Sequence, residues 1–463
     1  MVRVNRIIVK KTSDPGWFEY CDKYGKLANN LRNAALFRIR QIFCGYKKQD
    51  RTANEKEVFD EVALLEAETG KKVKQVIGYH ALERLMRATN NADFFAGLPM
   101  QTGQAVLKET TGSFTVWLES LKDYRSHPEK YLGKPGMPNY GRKGGAHAFT
   151  ITNQDAVLYP VVGRSGEVAG SELKLPLTKA RLFLEHISPD ADLREVKVIP
   201  YHGAYMISLT IEDHETPPEA PGTNFAAIDF GVDNIAAIVS TDASCAVFKG
   251  GAVKANNQLY AKRKAEAAAI LTKGHERKGA GSHRLDRMAY SHENFSRDYL
   301  HKVSRRIVNY CVDHKVGTVV LGRNRYWKQN ADMGKRNNQT FVSIPYYLLQ
   351  RMIRYKAEAL GIRVMDQEES YTSKADITAM DPIPVYGTEE AKTAEFSGKR
   401  IQRGLYQCGS GFVINADCNG AANIMRKAVP DAWNACPDFG FLAFPEVFDY
   451  HTIDTGKHHY RYS

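Results

Sequence analysis

Apolar positions in this chain change period several times, and the changes mark out its parts. Residues 4–10 (Val-Asn-Arg-Ile-Ile-Val-Lys) read as a short strand that Ser13-Asp-Pro-Gly16 breaks. Tyr20, Tyr24, Leu27, Leu31 and Ala35 then recur at spacings of three and four, the signature of a long helix. Further helical periodicity covers about 56–69, 73–90 and 104–122, where Val106, Thr110, Phe114, Trp117 and Leu121 share a face. Strand-like sequence runs from Phe149 to Ile211, with hairpins expected at Leu173-Lys-Leu-Pro-Leu and on either side of His202-Gly203. A Pro/Gly-rich segment, Thr216-Pro-Pro-Glu-Ala-Pro-Gly-Thr223, gives the clearest domain boundary.

Beyond that boundary the pattern becomes strand, turn, strand. Asn224-Phe-Ala-Ala-Ile climbs to Asp229, a Phe-Gly-Val-Asp-Asn turn occupies 230–234, and Ile235-Ala-Ala-Ile-Val239 returns beside it. The strand Thr318–Leu321, a helix from about Pro345 to Leu360 and the strand Ile362–Asp366 make a βαβ unit. An antiparallel hairpin followed by a parallel half is the plan of a ribonuclease-H-like sheet. There an acid at the end of the first strand joins other acids around divalent metals. By itself Asp229 also fits an Asx turn.

A second acid changes the balance. In Val413-Ile-Asn-Ala-Asp417-Cys-Asn-Gly420-Ala-Ala-Asn-Ile424-Met425 the small residues permit close helix-to-sheet approach, and Asp417 falls in the first helical turn. The helix dipole alone favours an acid there. Paired with Asp229, it supplies carboxylates from two different elements, which two-metal phosphodiester hydrolysis requires.

Composition points the same way. The 463 residues carry 64 Lys plus Arg against 52 Asp plus Glu, a formal charge of +12, which suits a polyphosphate partner. Residues 254–309 hold 13 Lys/Arg against 5 Asp/Glu, with Lys262, Arg263 and Lys264 as candidate backbone contacts. The turn-rich connection 123–146 adds Tyr124, Arg125, Tyr140, Arg142 and Lys143, where a solvated linker is the alternative. Arg323 and Arg325 follow the 318–321 strand, and Lys399, Arg400 and Arg403 form another basic patch. No apolar run has membrane-spanning length and no secretion signal begins the sequence, so a soluble, intracellular, cytoplasmic protein is expected. The 7 cysteines include no Cys-x-x-Cys pair, which leaves neither a disulfide framework nor a zinc ribbon in view.

Taken together, Ile228-Asp229-Phe-Gly231, Asn415-Ala-Asp417-Cys-Asn-Gly-Ala-Ala-Asn423-Ile, Tyr371-Thr-Ser373 and the segment from Asp123-Tyr to Pro138-Asn-Tyr140 resemble TnpB. That is the transposon-encoded, RNA-guided DNA nuclease family related to the type V CRISPR effectors. The resemblance implies an α+β multidomain protein: a RuvC-type ribonuclease-H-like nuclease domain, a helical recognition lobe and a β-rich wedge domain. On that plan residues 1–15 give the first wedge strand, 16–123 the recognition lobe and 124–218 the rest of the wedge. Residues 219–463 give the nuclease, with a basic insertion at about 375–412 and a tail at about 430–463. It further implies guide RNA and double-stranded target DNA as partners. Two Mg²⁺ ions, or Mn²⁺ in their place, would cut next to a short duplex motif.

Two departures stand out. Most relatives place a Glu directly after the strand equivalent to 318–321, where this chain has Gly322. Glu368 and Glu369 stand at the end of the next strand, about 4.8 Å away in a sheet, so a relocated glutamate is expected, Glu368 first and Glu369 behind it. Two acids capping a strand are the alternative. The zinc ribbon of many relatives is also missing, since residues 375–412 offer Cys408 alone, and no structural zinc is expected. The expected centre is therefore Asp229, Glu368 and Asp417, both as metal ligands and as catalytic acids. Rival readings are a guided DNA-binding protein that does not cut and a guide-free nuclease or recombinase.

Overall fold

The computed structural model describes residues 2–162, 168–185, 187, 191–212, 214, 216–273, 281–323, 344–436 and 438–453. The chain divides into two compact units between Glu215 and Thr216.

In the first unit, β1 (Val2–Val9) precedes four helices: α1 (Pro15–Gly45), α2 (Ala53–Thr69), α3 (Tyr79–Ala88) and α4 (Met100–Ser126). Pro15 at the start of α1 suits a first helical turn. A capping box between Thr52 and Glu55 starts α2, and Gly70 in the left-handed region (φ 65°) ends it. The helix expected over 73–90 begins only at Tyr79. Val73 and Ile77 supplied apolar signal, but both are buried from the non-helical connection before it. Strands β2 (Phe149–Thr152), β3 (Val157–Val162), β4 (Val168–Lys174), β5 (Arg181–Leu184), β6 (Asp192–Tyr201) and β7 (Ala204–Glu212) follow. They form two antiparallel sheets, β1-β7-β6-β2 and β3-β4-β5. The β6–β7 hairpin turns on His202 (φ 46°) and Gly203 (φ 77°), a two-residue link with both residues left-handed.

The second unit is built on a six-stranded sheet. Its elements are β8 (Asn224–Asp229), β9 (Asn234–Ser240), β10 (Ser244–Lys249), α5 (Gly251–Thr272), α6 (His283–Asp313), β11 (Val316–Arg323), α7 (Tyr346–Glu358) and β12 (Arg363–Glu368). A short helix α8 (Glu389–Thr393), the hairpin strands β13 (Lys399–Gln402), β14 (Leu405–Gln407) and β15 (Val413–Asn415), helix α9 (Ala416–Ala428) and β16 (Glu446–Phe448) complete it. Strand order is β12-β11-β8-β9-β10-β16. β8, β9 and β10 form an antiparallel meander, while β11 and β12 lie parallel to β8 and to each other. Three antiparallel strands extended by two parallel ones through helical crossovers is the ribonuclease-H topology.

Alternation along the strands sorts the two faces. Ala226, Ile228, Val319 and Leu321 pack with α6 and α7 through Leu300, Val303, Leu349 and Ile353. Ala227 and Val320 face the other way and pack with Ala421, Ile424 and Met425 of α9. By that period Asp229 and Gly322 belong to the α9 face. No helix among the described residues is long and apolar enough to cross a membrane.

Candidate active site

Asp229 ends β8 and Asp417 lies in the first turn of α9, so a strand end and a helix start bring them together. Asn415 caps that helix: its side-chain oxygen accepts the N–H groups of Asp417 and Cys418 at 3.0 and 3.1 Å. Helix α9 approaches closely because residue 420 is glycine. A β-carbon there would stand 2.7 Å from Asp229 Oδ2. The Asp229 carboxyl is pushed well above the usual carboxylate range, first by burial and then by the charge of Asp417, with Arg400 opposing.

A further carboxylate on the Asp229 face follows β12, where Glu369, the second of the two glutamates expected there, is the one turned towards Gly322. Val364 packs on the α7 side of the sheet, and Asp366 pairs with Arg354 of α7 at 2.5 Å. Glu369 has the opposite parity and turns to the α9 face. Its Oε2 lies 2.6 Å from where a β-carbon on Gly322 would be, and it is shielded from solvent with no hydrogen-bond partner. Burial, then the charge of Asp229, raises its carboxyl well above normal. Glu368, the first choice from sequence, is engaged elsewhere. Lys427 Nζ donates to its Oε2 at 2.6 Å and the Ser370 N–H to its Oε1 at 2.7 Å. Burial works against its charge, but these donors outweigh it and hold the carboxyl below its ordinary value. An ion pair with a lysine fifty-nine positions away leaves no signal in local sequence.

Asp417 is also committed on both oxygens. Arg400 Nη2 donates to Oδ1 at 2.9 Å and Asn234 Nδ2 to Oδ2 at 2.7 Å. Arg403 pairs with Asp233, which also takes Lys254 at 3.1 Å. Arg400 and Arg403, read from sequence as a basic surface patch, are thus turned onto acids of the site. Among the described residues no set of three His, Cys, Asp or Glu side chains is gathered into a metal cage. The donor chemistry nevertheless fits a divalent cation, because the Glu369 oxygen is orphaned and Asp229 is pushed up by burial and by the charge of Asp417 in spite of Arg400.

Other sequence candidates sit apart from the acids. Lys262, Arg263 and Lys264 are exposed on α5, with Lys264 over the Tyr260 ring at 5.6 Å. Arg323 pairs with Asp366 at 3.3 Å, and Lys399 is exposed. Arg325 lies outside the described residues. In the first unit the backbone of the basic connection is tied to α1: Asn29 donates to Arg142 O at 2.9 Å and Asn33 to Gly141 O at 3.1 Å. Arg40 stacks on Tyr140 at 4.9 Å, while Arg125, Arg142 and Lys143 are exposed and Tyr124 meets Tyr131 edge-on. Sequence reasoning missed Asn234, Asp233 and Lys427. Asn234 follows the Asp229 turn directly and was the most accessible of them.

The segment between β12 and α9 is held by buried carboxylates. Asp376 is fully buried and accepts the N–H groups of Thr378 and Gly409 at 2.9 and 2.7 Å. Asp381 accepts those of Asp376 and Ser397, each at 2.9 Å, and the Ser397 hydroxyl at 2.6 Å. Cys408 is buried beside them and free.

Residues 207–328 match the model of a probable transposase family, OrfB_IS605, and residues 346–424 match the TNB domain of Cas12f1-like proteins. The first stretch holds Asp229, the second Glu368, Glu369 and Asp417. The TnpB-like protein ORF457 of Acidianus two-tailed virus is 28% identical over 219 residues, 45% of this chain and 42% of that protein. The CRISPR-associated endodeoxyribonuclease Cas12f1 of Sulfoacidibacillus thermotolerans is 32% identical over 139 residues, 30% of this chain and 28% of the relative. The matches thus span less than half of either curated relative. A Cas12f1–sgRNA–target DNA complex solved by cryo-EM aligns with 88% of this chain and 83% of its own, at 17% identity and a TM-score of 0.45. The two family models adjoin one another across the acid-bearing sheet, and by both sequence matches the chain is similar to TnpB-like and Cas12f1 proteins.

Proposed function

We propose that this chain is an RNA-guided DNA endonuclease whose cutting centre is Asp229, Glu369 and Asp417. The observation that carries the reading is Glu369 Oε2: buried, unpartnered and filling the space above Gly322 on the Asp229 face of the sheet. A buried carboxylate oxygen without a donor is costly and is retained where something else satisfies it.

The three acids would hold Mg²⁺, or Mn²⁺ in its place. When bound, the metal supplies an activated water and stabilises the leaving oxygen of the phosphodiester. The chain's own groups do the rest. Gly420 and Gly322 keep the space at the acids open. Arg400 and Arg403 hold Asp417 and Asp233 in the absence of other cations and are long enough to pass to a phosphate. The exposed Lys262, Arg263 and Lys264 suit the backbone of a guide RNA or of its heteroduplex, read by charge and shape. Guide RNA, duplex target and a short duplex motif come from the likeness to TnpB-like and Cas12f1 proteins, as does a prokaryotic or viral setting. No zinc is assigned to the 375–412 segment.

One observation favours the non-cutting guided binder as a second reading, namely that Asp417 is already neutralised by Arg400. Both readings are tested together. RNA that co-purifies with the chain is sequenced, and a duplex matching its guide portion is offered with Mg²⁺. Cutting by the wild type, lost in Asp229→Ala and Glu369→Gln with target binding retained, is the expected result. A wild type that binds and never cuts establishes the second reading, and cutting by Glu369→Gln at the wild-type rate removes Glu369 from the centre.

A further inference from the structure

Two donors of opposite character hold the Asp417 carboxylate. Arg400, on Oδ1, sits on a hairpin with its side chain 52% exposed. Asn234, on Oδ2, is 7% exposed. The Asn234 amide is engaged at its other end too: its Oδ1 accepts from Lys249 Nζ at 3.1 Å.

This chain of contacts follows from an irregularity in the sheet. β9 and β10 pair regularly from Ser240 opposite Ser244 to Ala236 opposite Phe248. Continued unchanged, the register would set Lys249 against Ile235. A shift after Phe248 sets it against Asn234 instead. Bulges of this kind recur beside active sites, where they re-aim a side chain. Both neighbours of the shift are fastened. The Tyr299 hydroxyl donates to Lys249 O at 2.6 Å, and the Gly250 N–H donates to Asp233 O at 2.7 Å. Gly250 is needed for that approach, because a β-carbon would meet Val232 O at 2.5 Å.

A cation on an amide oxygen polarises the amide and makes its N–H groups better donors, most of all to a carboxylate. We propose that Asn234, backed by Lys249, is a positioning residue. It fixes the rotamer of Asp417 and leaves the oxygen now paired with Arg400 as the one offered to a divalent cation. Arg400 is the exchangeable partner and Asn234 the permanent one. The inference rests on the reading of Asp229, Glu369 and Asp417 as a metal centre.

The test measures Mn²⁺ binding by calorimetry on the full-length chain freed of nucleic acid, alongside the Mg²⁺ dependence of cutting by the guided complex. Asn234→Leu keeps the volume and removes the amide. Loss of a group that orients a metal ligand typically weakens affinity about 10- to 100-fold, and that is the expected loss. Asn234→Ser, whose hydroxyl still donates, should recover part of it. Lys249→Met should lose less, and should lose nothing further in the Asn234→Leu background, since the lysine acts through the amide. Asn234→Leu binding Mn²⁺ within about twofold of wild type, while Asp417→Ala loses the site, overturns the proposal. So does a Lys249→Met loss of equal size in both backgrounds. If Asn234→Leu does not fold, exposed Lys249 carries the test alone, and unchanged affinity in Lys249→Met overturns the proposal. Wild-type binding by Asp417→Ala would instead remove the metal centre itself.

Discussion

Glu369 occupies the place that a side chain at position 322 would claim. A β-carbon on Gly322 would stand 2.6 Å from Glu369 Oε2, 2.8 Å from Ile424 Cδ1 and 3.1 Å from Ile228 O. Glycine on β11 and glutamate after β12 are therefore one arrangement, and changing either residue alone disturbs both.

Gly322→Ala tests that exclusion. The methyl group forces Glu369 aside and crowds Ile424, a small overpacking with a typical cost of about 1–3 kcal/mol. The variant should fold with a lowered melting temperature and cut at least about tenfold more slowly. The pair Gly322→Glu with Glu369→Ala should cut faster than Glu369→Ala alone, because it returns a carboxylate from β11. Equal rates for these two in a single-turnover assay would count against a shared acid position.

Glu368 is committed to Lys427 by an ion pair. Glu368 is 47% exposed, so its pair with Lys427 contributes at most about 1 kcal/mol. Glu368→Gln should lower the melting temperature slightly and leave cutting within a few-fold of wild type, whereas Glu369→Gln should lose orders of magnitude. A dead Glu368→Gln beside an active Glu369→Gln would reverse the assignment.

Helix α5 offers a salt-dependence test. Lys262, Arg263 and Lys264 are consecutive and exposed, so their side chains fan across more than one face of the helix. Reversing all three charges should weaken RNA binding and flatten the slope of log affinity against log salt, by up to about one contact for each residue engaged. Guide preference should be unchanged. Superimposable curves at three salt concentrations would assign these residues to solvent.

A pH effect belongs to Lys356 of α7. It is 4% exposed, and its Nζ donates to His301 O at 2.8 Å and Ser304 Oγ at 2.7 Å. Burial, helped by Arg305, lowers its pKa from 10.5 to about 7. Below about pH 7 both folded and unfolded chains hold the proton and the penalty is present in full. Between about 7 and 10.5 the unfolded chain binds a proton that the folded one declines, so this contribution to stability rises with pH. Lys356→Met should compare most favourably with wild type at pH 6 and progressively less well towards pH 10. A stability difference constant across that range would show that the lysine titrates normally.

Much of this was legible in the sequence, and the misses have physical causes. Asp229 and Asp417 stood out because each is fixed by local structure, a strand end and a capped helix start. Which of Glu368 and Glu369 faces Gly322 depended on parity, and its clue was Val364. A strand whose apolar residue packs on one helix layer sends the residue five positions later to the opposite face. Strand β12 also runs on to Glu368, past Asp366, which keeps the alternation intact to its end. Contacts between distant segments left no local trace: Lys427 on Glu368, Arg400 on Asp417 and Asn234 across the sheet. The late start of α3 has a related cause, since apolar residues in a buried connection imitate a helical face.

The carboxylates of Asp376 and Asp381 set what the segment between β12 and α9 responds to. Its bends are drawn in by backbone N–H groups closing on two acids, over a stretch from Asp376 to Gly409. Burial opposes the Asp381 charge, but the Ser397 hydroxyl and the backbone donors outweigh it and hold the carboxyl below 3.8. That support is present above the unfolded value and disappears as acid titrates it below. The Asp381 end of the segment is therefore a clasp that protons release, and its grip on Asp376 and Ser397 loosens in the acid range where that carboxylate loses its charge.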